Sequence, residues 1–313
     1  MRFALYTAVE NMTWSNLLPM WKEADDIPLF ESAWTFDHLQ LYPETEFKTP
    51  QDEKTTTKPE RSLLAALRST VVRRARRWTT DPLGPCLEGW TSLAALLQAT
   101  RRIHGGCLVT AMAYRHPALL ANMAATVDII SNGRLELGLG TGWSQEECDA
   151  YGITLGTWPE RFDRFDEGIE CIVRLLTQSS TTYEGKYFRL TDARCEPKPL
   201  QRPHPPILIG GAGERRTIPT VARWAQHWQA GFNLEVVPRK IERLGEACSA
   251  IGRDPSEITV SMLAYWNGKS VSRFADHLAQ MRDLGVHMAV ISVRGNNPRL
   301  IGRLADGLTP LGA

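Results

Sequence analysis

The stretch GCLVTAMAYRHPALLANMAATVDIISNGRLELGL, residues 106–139, contains a complete strand–helix–strand unit. Residues 106–110 are mostly apolar, residues 117–130 carry apolar side chains at helical spacing, and residues 134–139 again have the composition of a strand. A helix that joins two such strands predicts a parallel pair with a right-handed crossover. This unit therefore predicts an α/β fold.

The same alternation of strand and helix runs along the rest of the chain. Each unit begins with a short apolar run and continues with a helical pattern: residues 2–8 with 14–24, 29–36 with 92–99, 106–110 with 117–130, 134–139 with 160–176, 206–209 with a helix through 225, 228–231 with 238–251, 258–265 with 271–284, and 288–293 with 298–308. Eight such units close most economically as a barrel. We predict a (β/α)8 TIM barrel, with residues 1–313 as a single domain.

Two segments interrupt this alternation. Residues 181–190 (TTYEGKYFRL) predict a small hairpin before the fifth strand. Residues 44–80 hold nine Lys and Arg against five Asp and Glu, and within them residues 61–78 predict a basic amphipathic helix. We interpret residues 44–80 as a basic loop insertion after the second strand. A lid, a disordered stretch and an artefact of gene prediction remain alternative explanations.

Composition limits the classes of partner. The chain has 36 Lys and Arg against 35 Asp and Glu, so we expect neither nucleic acid nor a membrane as partner. It has no long apolar run and no signal-peptide pattern, and its six cysteines form no CxxC pair, so we expect a cytoplasmic protein with free thiols. The expected partners are a small-molecule substrate and, in a homodimer, a second copy of the chain.

A glycine-rich turn follows the fifth strand, at the end of a barrel where catalysis is located. Residues 210–217 (GGAGERRT) lead into a helix that we expect to begin near Thr217, because Pro219 fits only the first helical turn. Such a turn presents free amides and a helix dipole to a phosphate, although it also serves as a plain connection. The candidate phosphate contacts are Gly211, Gly213, Arg215, Arg216 and Thr217.

Several common barrel chemistries lack their residues here. No histidine pair is spaced for a metal site, so we predict no metal. Only Lys269 lies near a strand end, and only Asp37 is an acid clearly placed there, which disfavours Schiff-base chemistry and retaining glycoside hydrolysis. A phosphate-bearing cofactor that supplies its own reactivity remains. His38, after the second strand, is the candidate proton carrier; the alternative is a histidine satisfied by a backbone carbonyl.

Long blocks of the sequence resemble a known family, the bacterial luciferase-like flavin oxidoreductases, and in particular their branch dependent on coenzyme F420. The blocks cover almost the whole chain and read WTFDHL (34–39), DPLGPCLEGWTSLAALLQAT (81–100), YRHPALLANMAATVDIISNGRLELGLGTGW (114–143), ERFDRFDEGIECIVRLL (160–176), YEGKYFRL (183–190) and PKPLQRPHPPILIGGAGERRT (197–217). The resemblance implies a luciferase-like barrel that holds FMN or F420 across the strand ends.

The resemblance also implies roles for single residues. His38 would lie near the reactive ring, preceded by Asp37, and the peptide bond between Leu108 and Val109 would be cis beneath the ring. The remaining contacts with the ring or the ribityl chain would come from Thr110, Gly140, Thr141 and Gly142.

One departure from the family pattern concerns the substrate. The sugar-phosphate dehydrogenases of the family carry a glutamate after the Gly-Thr-Gly step, whereas this chain has Trp143. We therefore expect an apolar or aromatic substrate pocket formed by Trp34, Trp143 and Trp266.

Three functions remain in view at this point. The first is an F420-dependent oxidoreductase that transfers a hydride to or from a small organic substrate, with His38 as acid or base. The second is an FMNH2-dependent monooxygenase that uses O2, like the alkanal and alkanesulfonate monooxygenases. The third belongs to another class, a non-catalytic flavin-binding protein.

Overall fold

The computed structural model describes residues 1–40, 84–293 and 297–311. The expectations for residues 44–80, including the basic helix, lie outside the described residues. The peptide bond between Leu108 and Val109 is cis, as predicted.

Parallel strands form the centre of the molecule. The central strands are β1 (Arg2–Tyr6), β2 (Phe30–Thr35), β3 (His104–Cys107), β4 (Thr110–Ala111), β5 (Leu137–Gly140), β8 (Ile207–Gly210), β9 (His227–Gln229), β10 (Thr259–Trp266) and β11 (Met288–Val293). Outside this sheet lie β6 (Thr181–Glu184) and β7 (Arg189–Ala193). The sheet order is β3-β2-β1-β11-β10-β9-β8-β5-β4. Because β3 and β4 are consecutive pieces of one chain segment, this order closes into the predicted barrel.

Helices follow the strands and surround the barrel. They are α1 (Trp14–Asp26), α2 (Gly89–Ala99), α3 (Pro117–Ile130), α4 (Gln145–Ala150), α5 (Trp158–Thr177), α6 (Thr217–Trp224), α7 (Val237–Ser249), α8 (Val271–Asp283) and α9 (Arg299–Leu308). The helix predicted near Thr217 begins there, and β6 and β7 pair as the predicted antiparallel hairpin. No helix in the described ranges has the length and apolarity needed to cross a membrane.

The core has an inner and an outer layer. β11 is buried along its whole length, as expected of a strand that lies between the barrel interior and the helices. Inside the barrel, a small cluster contains Ala4, Trp34, Leu208, Met288 and Val290. The larger cluster fills the space between strands and helices. All six cysteines are free thiols, and all except Cys86 are buried.

The prediction that Trp34 lines a substrate pocket is corrected by this packing. Trp34 is 0% exposed and belongs to the inner cluster, and its indole Nε1 donates to Ser32 Oγ at 3.0 Å. Barrel interiors are filled by side chains rather than left open. Trp34 therefore fills the barrel below its mouth, where we define the mouth as the carboxyl ends of the barrel strands.

Trp266 is also misplaced in the sequence-based prediction. It is 1% exposed, its ring centroid lies 6.3 Å from that of Phe274 on α8, and the Arg303 guanidinium from α9 lies 5.8 Å from its ring. Side chains alternate along a strand, and the neighbours of Trp266 at even spacing, Val260 to Ala264, belong to the outer cluster. Trp266 therefore faces the helices and not the mouth.

Candidate active site

His38 lies just beyond the carboxyl end of β2. Its side chain is 25% exposed, and the ring centroids of Phe36 and Trp143 lie 4.9 and 5.3 Å from its own. His38 Nδ1 lies 2.6 Å from Glu147 Oε2, and within the described residues Nε2 makes no hydrogen bond. The imidazole is thus held by one nitrogen among aromatic rings.

Glu147 is the central buried acid of this site. It is 0% exposed and accepts hydrogen bonds from the Tyr114 hydroxyl at 2.5 Å and from the amides of Leu39 and Gln40 at 2.5 and 3.4 Å, in addition to its bond with His38. Burial disfavours its charge, but the hydrogen bonds from His38, Tyr114 and Leu39, together with the attraction to the His38 ring whenever that ring is protonated, outweigh burial and lower the pKa of Glu147. Burial and the neighbouring carboxylate raise the pKa of Tyr114. Near neutral pH Glu147 is therefore ionised and Tyr114 is a neutral phenol that donates a hydrogen bond to it.

Glu147 is a site residue that was not predicted from the sequence. The prediction concerned the position directly after the Gly-Thr-Gly step, where Trp143 stands, whereas the acid comes four residues later on α4. Ser144 caps α4 by accepting from the Glu147 amide at 3.4 Å, and the first helical turn then brings the Glu147 carboxylate to His38. The available signal was an acid in the first turn of a short helix, which ordinary capping also explains.

Asp37 supports the strand end from within the protein. Its buried carboxylate pairs with both terminal nitrogens of Arg115, at 2.5 and 3.0 Å, and Arg115 also pairs with Glu88 at 2.5 Å. Burial raises the pKa of Asp37, and Arg115 opposes that shift. Because its carboxylate is bound to Arg115, Asp37 anchors the backbone next to His38. Contact of Asp37 with a cofactor stays a prediction.

The ends of β3, β4 and β5 form the next part of the rim. Leu108 and Val109 are half-buried beside the inner cluster. At Gly140 an added Cβ would lie 2.6 Å from Val109 Cγ2, so glycine is needed for β5 to pass this side chain. Half-buried Thr141 and Gly142 follow, the latter with a φ of +83°. Their contact with a cofactor stays a prediction.

Thr110 departs from the prediction. It is fully buried, and its hydroxyl accepts a hydrogen bond from the Trp90 indole Nε1 at 2.9 Å. The side chain therefore faces α2 rather than the mouth. The prediction that the Thr110 side chain contacts the cofactor ring is therefore wrong.

The glycine-rich turn lies at the carboxyl end of β8. Gly211 has a φ of +115°, its carbonyl accepts from the Trp228 indole at 2.7 Å, and the Ala212 carbonyl accepts from Lys240. An added Cβ at Gly213 would lie 3.0 Å from Thr217 Oγ1. In the part of the chain that the structure describes, the amides of residues 212–216 donate no hydrogen bond. The carbonyls of the turn are held while its amides remain available to an anion.

The two arginines of the turn differ. Arg216 pairs with Asp163 at 2.8 Å and Asp166 at 2.9 Å on α5, so its charge is already committed. Arg215 is exposed and makes no ion pair within the described ranges. Of the two predicted phosphate contacts, Arg215 is the one whose charge the fold leaves uncommitted. An outer groove of about 440 Å³ borders it and includes Glu214, but it contains none of the residues around His38.

Comparison with known proteins connects this arrangement to a family. A family model described as luciferase-like monooxygenase matches residues 73–266. The chain is 30% identical to an uncharacterized protein of Mycobacterium tuberculosis over 64% of this chain and 67% of that protein. It is also 30% identical to an FMNH(2)-dependent dimethylsulfone monooxygenase of Pseudomonas putida, over 53% of this chain and 45% of the relative.

Two further matches concern F420. The chain is 30% identical to an F420-dependent hydroxymycolic acid dehydrogenase of Mycobacterium tuberculosis, over 58% of this chain and 51% of the relative. Among solved structures, an F420-dependent secondary alcohol dehydrogenase in complex with an F420–acetone adduct superposes with a TM-score of 0.76 at 16% identity, covering 99% of this chain and 97% of that one. At this identity the superposition shows the shared fold.

Proposed function

The chain belongs to the luciferase-like monooxygenase family, and on that premise we propose that it is an oxidoreductase that transfers a hydride between coenzyme F420 and a small organic substrate. The relatives include F420-dependent and FMNH(2)-dependent enzymes, so a flavin-type cofactor is what they have in common. The finer assignment to F420 is our proposal.

The main support for this function is the way in which the His38 ring is held. Glu147 holds Nδ1, and the other edge of the partly exposed ring carries Nε2, which is free of hydrogen bonds within the described residues. A histidine held in this way exchanges a proton with a molecule at the mouth. His38 is therefore assigned as the acid or base.

The residues at the mouth fit a phosphorylated tricyclic cofactor. The turn offers to a phosphate the amides of residues 212–216, which donate no hydrogen bond within the described residues, and the exposed Arg215. The rim formed by Val109 and Gly140 to Gly142 would lie under the ring, beside His38. When bound, F420 supplies hydride transfer. The protein itself orients the ring, holds the phosphate, and moves a proton at His38 Nε2.

F420 is favoured over FMN by charge at the phosphate end. F420 continues beyond its phosphate into an acidic oligoglutamyl tail, and Arg215 lies exposed at the turn with no ion pair in the described ranges. The FMNH(2)-dependent relative favours the second candidate, a monooxygenase that uses O2.

The substrate proposed is small and apolar or aromatic. Trp143 and Phe36 flank the imidazole, and Tyr6 stacks on Phe36 with ring centroids 6.3 Å apart. Of the three tryptophans predicted to shape the pocket, Trp143 alone stands beside His38. An apolar group packed against its indole would place the reacting atom near the imidazole.

The test is a titration of the purified protein with F420, FMN and FAD, in which the fluorescence of each ring is followed. We expect saturable quenching of F420 and weaker effects on the others. Quenching of FMN alone would replace hydride transfer by the monooxygenase. Quenching without turnover of any substrate class would favour the non-catalytic flavin-binding protein, and no quenching by any ring contradicts the proposal.

A further inference from the structure

The Glu147 carboxylate accepts hydrogen bonds that have no part in the capping of α4. An acid in the first turn of a helix ordinarily turns back to the helix amides. The Glu147 carboxylate instead leaves α4 and accepts from His38, Tyr114, Leu39 and Gln40, all of them outside that helix. Helix capping is done by Ser144. The position of this buried acid is therefore explained by what it holds, and not by the stability of α4.

We infer that Glu147 is the positioning residue of His38, which fixes the imidazole as the tautomer protonated at Nδ1 and leaves Nε2 to accept a proton at the mouth. The inference rests on the proposed function of His38 and assigns the group that makes the ring competent. A carboxylate is an acceptor only, so the nitrogen 2.6 Å from it must carry the hydrogen.

The two oxygens of Glu147 divide the task. Oε2 accepts from His38 and from Tyr114, and the phenol donor limits how far that oxygen can swing away from the imidazole. Oε1 accepts from the amides of Leu39 and Gln40, which follow His38 in the chain. One carboxylate thus holds the ring and the backbone that carries it, so the orientation of the ring is fixed from both ends.

The ionised state of Glu147 also matters when the ring takes up a proton. A positive imidazolium at His38 would lie beside this carboxylate in a protein environment, where the attraction is stronger than in water. Glu147 therefore stabilises the protonated ring without itself exchanging a proton with the substrate. In this respect it acts through His38.

Glu147→Gln tests the inference because donors occupy both oxygens. Glutamine has the same shape but replaces one oxygen by an NH2 group. If that group faces Oε2's partners it meets the donors His38 and Tyr114, and if it faces Oε1's partners it meets the amides of Leu39 and Gln40. One side of the site must therefore rearrange. Glu146→Gln is the matched control, because Glu146 is the exposed neighbour on the same helix.

The first readout is the imidazole itself, in 15N-labelled protein without cofactor. Long-range proton–nitrogen spectra distinguish the two tautomers, and His38→Gln identifies the signals of His38. We expect the wild type and Glu146→Gln to be protonated at Nδ1, and the His38 ring of Glu147→Gln to lose this single state, either by a shift toward the Nε2-protonated form or by a change of ring orientation that moves both nitrogen signals. A wild-type ring protonated at Nε2, or a His38 ring in Glu147→Gln whose nitrogen signals are identical to those of the wild type, overturns the inference.

The second readout is turnover with the cofactor bound. We expect Glu147→Gln to lower kcat about 10- to 100-fold, with KM and cofactor affinity nearly unchanged. Tyr114→Phe removes a donor without creating a clash, so it should fold normally, keep the tautomer, and lower kcat by less. If the wild type binds no flavin-type cofactor, the proposed function is refuted. If the His38 ring still changes in Glu147→Gln, the inference about Glu147 stands.

Discussion

Within the described residues, an imidazole–carboxylate pair lies at each end of the barrel. At the mouth, His38 pairs with Glu147, and the imidazole side chain is 25% exposed. At the amino end of the strands, His227 Nδ1 lies 3.2 Å from Glu136 Oε2, while Nε2 lies 2.7 Å from Ser261 Oγ. The side chain of His227 is only 5% exposed. The two pairs have similar chemistry and different surroundings.

The difference shows that the second ring nitrogen decides what each histidine can do. Both nitrogens of His227 have partners, and its ring packs edge-on against buried Trp34 at a centroid distance of 5.7 Å. This histidine satisfies polar groups in the closed end of the barrel, where residues serve stability. His38 keeps one nitrogen for the mouth. The pairing with a carboxylate is thus shared, and the open edge of the ring is what distinguishes the catalytic candidate.

The largest effect is expected from His38→Ala. Removal of the proton carrier should lower turnover by about 100-fold or more, because general acid–base catalysis typically contributes at least that much. The free energy of unfolding should fall by less than in His227→Ala, because the buried Glu147 carboxylate loses His38 but keeps its hydrogen bonds from Tyr114, Leu39 and Gln40. Steady-state kinetics and urea denaturation measure the two quantities. Unchanged turnover would remove His38 from the mechanism.

His227→Ala should show the opposite pattern. It leaves the Glu136 carboxylate and the Ser261 hydroxyl in the closed end without their partner, and we expect a loss of about 3 kcal/mol in the free energy of unfolding. Turnover measured well below the melting temperature should stay within about twofold of the wild type, because the mouth is untouched. A large loss of turnover in a folded protein would contradict the separation of the two ends.

The pKa of Glu136 predicts how the stability of the protein changes with pH. Burial disfavours the charge of Glu136, but the hydrogen bond and charge of His227 outweigh it and lower the pKa of Glu136 below its usual 4.5. A lowered pKa in the folded state stabilises the protein above the unfolded pKa, and this contribution disappears as the pH falls through the folded pKa. Urea denaturation should therefore show Glu136→Gln less stable than the wild type at pH 7, with the gap narrowing below about pH 4.

A smaller contrast concerns two tryptophans. Trp143→Ala should raise the KM for an apolar substrate about tenfold with a smaller effect on kcat, because it removes apolar contact area beside His38. Trp266→Phe should leave KM unchanged and lower the free energy of unfolding by about 1 kcal/mol, since Trp266 packs between β10 and the helices. The reverse pattern would restore Trp266 to the substrate pocket.

The sequence predicts the barrel well because eight repeated units carry the same local signal. The start of α6 and the hairpin before β8 were also predictable, since Pro219 and the EGK turn act locally. Both features depend on residues only a few positions apart, so a local signal is enough to predict them. The cis bond between Leu108 and Val109 has no such signal and was predicted only from the family resemblance.

The parts of the site that the sequence did not predict depend on contacts between distant residues. Glu147 is far from His38 in sequence, and only the closed barrel brings α4 against the end of β2. Trp34 and Trp266 were placed by nearness to strand ends, whereas the face on which a strand residue lies decides its surroundings. For Trp266 the alternation with Val260 and Met262 was a usable signal, because all three share one face.

A crystal structure of the protein with its bound cofactor tests the assignment of His38 directly. We expect the ring across the carboxyl ends of the strands, its phosphate on the amides of residues 212–216, and its reactive edge near His38 Nε2 while Nδ1 stays on Glu147. A cofactor bound elsewhere, or a His38 ring turned away from it, would refute this assignment.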